Sequence, residues 1–535
     1  MSPEPWKGDG DVSENRSSRG PVAVGALSGV VAALLMTLVQ ALLRLGLGVP
    51  SPAELIGDRV GERVPVKPFL DLIGLVGSYG RLKALSVLGV LLATLVLGAA
   101  LGALYARMTE RQRLAEGPAL GRSGMSRRAL IVLGATVAVA WLISVAAFWP
   151  LLASYYRGEA RSTARLANAT ALLFAYAVYA AGLVTVYRLL VRRPERTVAT
   201  GEPVGRRALL AGGAGLGLAV ATGGVLQRLY TRSTFGYDGL QLNGEIEPIT
   251  PNAKFYVVTQ NLIDPRVERG NWRLEVGGEV DNPRTYDFAA ISALPSVIQE
   301  STLVCISNGV GGGLMSNAQW KGVPLRTLLE QSAPRNNVRD VVFHGVDGYT
   351  DTFALDKAMD PTTLVAYEMN GQPLPQRHGF PVRIIVPGLY GEKNVKWIDR
   401  IRLSATEEQG FYENQGWGPD FVVRTQSRFS TPDFARPLPM GGALLKGTAF
   451  AGDRGVAKVE VSVDDGASWQ PARIDYSGSR LTWSLWSYQW NPSRPGEHRL
   501  VVRAFDRTGA TQIEQNKSSG PEGATGLHRV TAMVA

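Results

Sequence analysis

Cys305 is the one cysteine of the chain, and it stands where an apolar run, Thr302-Leu303-Val304, meets a segment holding Gly309, Gly311, Gly312 and Gly313. The apolar run reads as a short buried strand, and the glycines after it let backbone approach a ligand closely. A thiol at the mouth of such a loop can act as a soft metal ligand or a nucleophile; as a lone residue it can also be a small buried hydrophobe. Without a second cysteine it cannot close an internal disulfide. The chain's four histidines, His344, His378, His498 and His528, all lie beyond its midpoint.

The elements that must position these groups begin with five apolar segments, 21–47, 83–106, 129–153, 166–191 and 208–229. Each is close to the ~20 residues a helix needs to cross a hydrocarbon core of ~30 Å. The first lies too far from the start, with too few cationic flanks, for a simple cleaved signal peptide. The expected organisation is a cytoplasmic tail (1–20), a five-helix membrane region (21–230), a linker (231–244), an α+β domain (245–424) and an all-β domain (425–535).

Arginines give this anchor an orientation, because cations in short loops stay cytoplasmic. Arg107, Arg111, Arg113, Arg122, Arg127 and Arg128 cluster between segments two and three; Arg188, Arg192, Arg193, Arg196, Arg206 and Arg207 cluster between four and five. With both loops inside, an odd number of spans leaves the C-terminal domains extracytoplasmic. The net charge of +10 comes largely from these loops and calls for no nucleic-acid partner. Arg206-Arg207 before a weakly apolar, Gly/Ala-rich span reads either as a twin-arginine export signal, which moves folded proteins, or as a positive-inside anchor.

Haem is excluded from the membrane region. Every histidine follows the last span, and one cysteine cannot make a Cys-x-x-Cys-His attachment site. The spans hold almost no charge at their centres, which leaves a proton or ion pathway little to work with. Their role is therefore an anchor, with membrane as the partner.

Beyond the linker, residues 248–261 and 271–280 have the alternation and turn punctuation of short strands. Short strands mix with one expected helix, 324–331, up to residue 403. After Pro432, Val459, Val461 and Val463 alternate with polar neighbours, Asp465-Gly466 turns the chain, a second strand carries Trp469 toward Ile474, and 500–505 adds another. That pattern predicts an immunoglobulin-like sandwich.

Two blocks resemble the molybdenum-cofactor domain of the sulfite oxidase and plant nitrate reductase superfamily. The first is Cys305, Asn308 and Trp320-Lys-Gly-Val-Pro-Leu325. The second runs from Leu364-Val-Ala-Tyr-Glu-Met-Asn-Gly through His378-Gly-Phe-Pro-Val-Arg383 to Asn394-Val-Lys-Trp397. The resemblance covers roughly 245–535 and implies a Mo-molybdopterin cofactor with Cys305 as its protein metal ligand and catalytic residue, thiolate being the soft donor such a metal takes. It further implies cofactor contacts from Asn261, Asn308, Asp347, His378, Arg383, Asn394 and Lys396, the cations suiting a phosphate tail. A small-molecule substrate, oxygen-atom transfer, a cytochrome or the quinone pool as electron partner, and a homodimer through the C-terminal domain follow from the same resemblance. Two departures stand out: the arginine that holds the substrate anion in sulfite oxidases is Gly309 here, and Trp417 stands where their active-site tyrosine is sought. The expected activity is thus a molybdenum oxidoreductase other than a sulfite oxidase, with a sulfoxide-type reductase or a non-catalytic binding module as alternatives.

Overall fold

The computed structural model describes residues 19–233 apart from 62, 117–126, 155–156 and 192–205, and residues 238–535 apart from 242. The chain divides into two compact units, Met1–Ala53 with Leu85–Leu152 and Arg165–Arg232 in one, Glu54–Ala84 with Ala153–Ala164 and Ser233–Ala535 in the other. Helices α1 (Arg19–Leu47), α2 (Pro52–Gly61), α3 (Val66–Val76), α4 (Tyr79–Glu116), α5 (Arg127–Phe148), α6 (Arg161–Val191) and α7 (Arg206–Arg232) precede the soluble domains.

In the first unit, α1, α4, α5 and α6 carry four stretches long and apolar enough to cross a membrane. Leu88, Leu92, Val96, Ile131 and Ile143 on these helices are exposed, an outward apolar surface suited to lipid. Small residues form the inner seam. Gly25 and Gly29 of α1 face Gly98 and Gly102 of α4, and a Cβ added at any of the four would collide with the opposing helix, the close approach that glycines spaced four apart permit. Four of the five expected spans are thus found among the described residues. The fifth segment forms helix α7, Gly/Ala-rich as its sequence reads.

The second unit contains an α+β domain and an all-β domain. The first has strands β1 (Arg273–Gly278), β2 (Arg284–Asp287), β3 (Val297–Val304), β4 (Met315–Pro324), β5 (Asp340–Gly345), β6 (Thr350–Ala354), β7 (Leu364–Met369), β8 (Gln372–Pro373), β9 (Arg383–Ile385) and β10 (Ile398–Ser404). They form two sheets, β2-β1-β10-β5-β6, with β1 and β10 parallel, and β3-β4-β7-β8, with β9 on β7. The expected helix appears as Leu325–Ser332 and buries Leu325, Leu328 and Leu329 against Val276, Val341 and Ile401 in one apolar core.

The 248–261 stretch, expected as strand, is instead irregular around a 3-10 turn at Asn252–Lys254, with one bridge, Asp238 to Val257. Pro248 and Pro251 remove ladder donors, and the Lys254 and Phe255 N–H groups turn back to the Pro251 carbonyl.

In the second domain, strands β11 (Gln426–Thr431), β12 (Ala443–Phe450), β13 (Val456–Ser462), β14 (Gln470–Pro471), β15 (Arg473–Ser477), β16 (Ser484–Trp490), β17 (Gly496–Asp506) and β18 (His528–Val534) make two antiparallel sheets, β11-β12-β16-β15 and β14-β13-β17-β18. Val459 and Val461 point into the shared core with Leu445, Trp486, Leu500 and Val502. Asp465 and Gly466, both at positive φ, turn the chain as expected.

Candidate active site and cofactor cradle

The site is built first at the end of β3. Antiparallel pairing of β3 with β4 sets Val304 opposite Met315, so the cysteine and the glycines form the loop between them. The Cys305 N–H donates to the Leu314 carbonyl at 3.0 Å, and the Asn308 Oδ1 accepts from the Leu314 N–H at 2.9 Å, which closes the neck of the loop. Cys305 is buried, 8% exposed, with its Sγ 3.0 Å from the Ser307 hydroxyl. Burial, with help from the Glu392 charge, pushes the thiol up to about 12. A coordinated metal reverses that preference and holds the thiolate.

Two groups that sequence reasoning missed converge here. Tyr256 is buried and stacked on Phe255 at 5.5 Å, and Phe255 stands edge-on to Trp320 and His378. At Gly391 an added Cβ would lie 2.5 Å from the Tyr256 hydroxyl and 3.7 Å from the Cys305 Cα, so only a glycine leaves room for this approach. The next residue, Glu392, has both carboxylate oxygens buried without a hydrogen-bond partner, and burial pushes it up to about 8. A buried polar group left unpaired is costly unless a ligand or water completes it. Tyr256 lay inside an alternating stretch read as strand, and Glu392 inside a turn that reads as exposed; neither carried a separate signal.

A second set of groups stands around β9. Arg383 is buried and donates from Nη1 to the His378 carbonyl and from Nη2 to the Asn394 carbonyl, both at 3.0 Å, with Trp320 under its guanidinium at 5.1 Å. Burial lowers it to about 10. Asn394 accepts from the Val386 N–H and donates to the Tyr390 carbonyl, which fixes the turn that presents Gly391 and Glu392. His378 Nε2 lies 3.0 Å from the Asn252 carbonyl, so Nε2 carries the proton; burial pushes the imidazole down to about 3 and keeps it neutral.

Beside them, the Asn261 amide donates to Asp347 Oδ2 at 2.8 Å, and Asp347 Oδ1 accepts from the Tyr349 N–H. Burial raises Asp347 to about 6. Lys396 donates to the Arg377 carbonyl at 3.3 Å, and desolvation together with the Arg383 charge brings its amine down to about 8.

The structure therefore gathers Asn261, Asp347 and Lys396 in one group and His378, Arg383 and Asn394 in another. Tyr256 stands beside the cysteine, its hydroxyl and the Cys305 Cα bounding the same space over Gly391. Asn308 stays in the Cys305 loop, its N–H donating to the Cys305 carbonyl at 2.9 Å, and its side-chain amide donates to Gln426 Oε1 of β11 at 3.1 Å, tying the loop to the second domain. Trp417 packs with Val304 and Ile306, the residues flanking Cys305, and with Met315 of β4.

Residues 261–412 match the oxidoreductase molybdopterin binding domain, and residues 425–519 match the Mo-co oxidoreductase dimerisation domain. Residues 261–519 are thus those of a sulfite oxidase-like molybdopterin oxidoreductase. Mitochondrial sulfite oxidase of Drosophila melanogaster is 30% identical over 321 residues, 50% of this chain and 55% of the fly protein. An inducible NADH nitrate reductase of Glycine max is 29% identical over 331 residues, 50% of this chain and 37% of that one. The chain thus spans about half or less of the length of these relatives. Among solved structures, the sulfane dehydrogenase SoxCD of Paracoccus pantotrophus aligns with a TM-score of 0.50 at 22% identity over 55% of this chain and 85% of that one, a likeness of fold.

The donor set of this molybdopterin oxidoreductase fits its family's Mo-molybdopterin. A buried lone thiol, with no group of three or more His, Cys, Asp or Glu gathered among the described residues, suits a metal whose other ligands a dithiolene provides. Arg383 and Lys396 would lend the positive charge a phosphate tail needs.

Proposed function

We propose that this chain is a membrane-anchored molybdenum-cofactor oxidoreductase that acts outside the cytoplasm on a small substrate by oxygen-atom transfer, with electrons passing to a cytochrome or the quinone pool. The convergence of Cys305, Tyr256 and Gly391 carries this reading. When bound, Mo-molybdopterin supplies the two-electron redox chemistry. Cys305 would hold the metal as a thiolate, and Arg383 and Lys396 would hold the phosphate end. Asn261 and Asp347 present hydrogen-bonding groups to the pterin, and the Arg383-bound turns keep Asn394 and Gly391 in place. Metal analysis of the purified protein tests it: about one molybdenum per chain is expected, and a metal-free protein would leave the binding-module reading.

Substrate choice follows from Gly309. The guanidinium of Arg428 is directed to the Gln241 carbonyl. Without a cation at position 309 to hold an anion, a neutral sulfur or nitrogen oxide is favoured over sulfite, which keeps a sulfoxide-type reductase as the second reading.

The extracytoplasmic placement draws support from which loops pack on the soluble domains. Those between α1 and α4 and between α5 and α6 do: the Val66 N–H donates to the Gln415 carbonyl at 2.7 Å, and Arg161 pairs with Asp399 at 2.7 Å. The arginine-rich segments fall in the other unit. With arginines cytoplasmic, the domains lie outside, and α7 must carry the chain back across. A weakly apolar crossing helix headed by Arg206-Arg207 is consistent with twin-arginine export of a protein that folds around its cofactor first. We also read the C-terminal sandwich as immunoglobulin-like and as the homodimer contact.

A further inference from the structure

Residues before 233 reach the molybdopterin-binding domain at several points. Gln415 Nε2 donates to the Gly61 carbonyl at 2.6 Å, the Glu268 N–H donates to the Arg157 carbonyl at 3.1 Å, and Arg161 pairs with Asp399 close after Trp397. One of these contacts touches the cradle. Lys83, in the second turn of α4, directs its ammonium to the Thr259 carbonyl at 2.8 Å and to the Asn261 carbonyl at 3.1 Å. A lysine near the end of a membrane helix ordinarily extends its amine to the headgroups; this one is spent on two protein carbonyls 176 and 178 residues away.

The carbonyls it holds belong to a tight turn. The Asn261 N–H donates to Thr259 Oγ1 at 3.1 Å, and the Asn261 amide then reaches Asp347 Oδ2 at 2.8 Å. Thr259 and Asn261 are both buried. Lys83 also shares its surroundings with Asp264 and Lys396, the latter a cradle cation. We propose that Lys83 is a cofactor-positioning residue: from a helix outside the molybdopterin-binding domain it fixes the Thr259–Asn261 turn and, through Asn261 and Asp347, one edge of the pterin cradle. This rests on the cradle assignment above. Its consequence is that the inter-span segment 54–84 is a working part of the cofactor domain, so a chain cut at the linker holds its cofactor less firmly than the full one.

The test uses the full-length protein in detergent and measures pterin and molybdenum per chain and the rate at which pterin is released. Lys83→Met removes the donors at similar length, Lys83→Arg restores them, and Arg157→Met breaks a docking contact, an ion pair to Glu268, away from the turn. Lys83→Met is expected to release pterin about tenfold faster, equivalent to about 1.4 kcal/mol, with Lys83→Arg recovering most of the difference and Arg157→Met unchanged. Release at the native rate from Lys83→Met overturns the proposal; so does equally fast release from Arg157→Met, which would mark a general loosening of the docked segments. If Lys83→Met does not accumulate, Lys83→Gln, which keeps one donor group, is judged by the same two criteria. Lys396→Met tests the cradle itself: undiminished cofactor there removes the cradle assignment, whereas loss there with native retention in Lys83→Met removes only the role given to Lys83.

Discussion

Gly391→Ala isolates the packing that brings Tyr256 to the cysteine. Gly391 is not at positive φ, so alanine costs nothing in backbone conformation and the perturbation is steric. Its new Cβ would meet the Tyr256 hydroxyl at 2.5 Å, the Val304 carbonyl at 3.2 Å and the Cys305 Cα at 3.7 Å. The first distance is far inside van der Waals contact, the second is tight, and the tyrosine is buried, so something must move. Overpacking of this kind costs about 1–3 kcal/mol, and if the displacement falls on the site it should lower the population of cofactor-competent protein about 5- to 150-fold. Tyr256→Phe removes the clashing oxygen while keeping the ring against Phe255. The double variant should therefore regain much of what Gly391→Ala loses, with a coupling of about 1 kcal/mol or more in a double-mutant cycle. The assay is molybdenum per chain alongside thermal unfolding. Full molybdenum content in Gly391→Ala, or no recovery in the double variant, would refute the convergence of these residues.

Further outcomes are expected. Cys305→Ser exchanges a soft donor for a hard one at similar volume and should abolish turnover while the pterin, held by other groups, stays bound; retained turnover would remove Cys305 from the centre. Changing Arg206 and Arg207 together to Lys keeps the charge and should block translocation of the folded domain; normal translocation would favour a simple positive-inside anchor. A tag at Ala535 should be digested by protease added to cells stripped of outer layers, and one near Arg113 protected; the reverse pattern overturns the orientation. Sulfite should turn over poorly beside a neutral sulfoxide, since a charge-assisted hydrogen bond contributes about 1.5–3 kcal/mol and Gly309 supplies none; Gly309→Arg should shift preference toward anions, and rapid sulfite turnover by the native protein would defeat the idea.

What could be read from the sequence was whatever local pattern determines. Val304 before Cys305, the helix at Leu325–Ser332 and the alternation of Val459 and Val461 all follow from periodicity and turn chemistry, and the structure holds each of them. The 248–261 stretch misled because its alternation suits a strand while Pro248 and Pro251 deny it a ladder. Tyr256, Glu392 and Lys83 were beyond reach for another reason. Their importance comes from contacts across long sequence separations, 176 residues for Lys83 to Thr259, and nothing in their neighbours marks them. The docking of 54–84 likewise depends on single contacts such as Val66 to Gln415 rather than on a repeated pattern.

The central claim is that Cys305 binds molybdenum, and X-ray absorption at the molybdenum edge addresses it directly. Comparing the purified native protein with Cys305→Ser, the Mo–S shell should lose one sulfur scatterer while the sulfurs of the pterin remain. Identical sulfur shells in the two proteins would contradict the claim, whatever their activities.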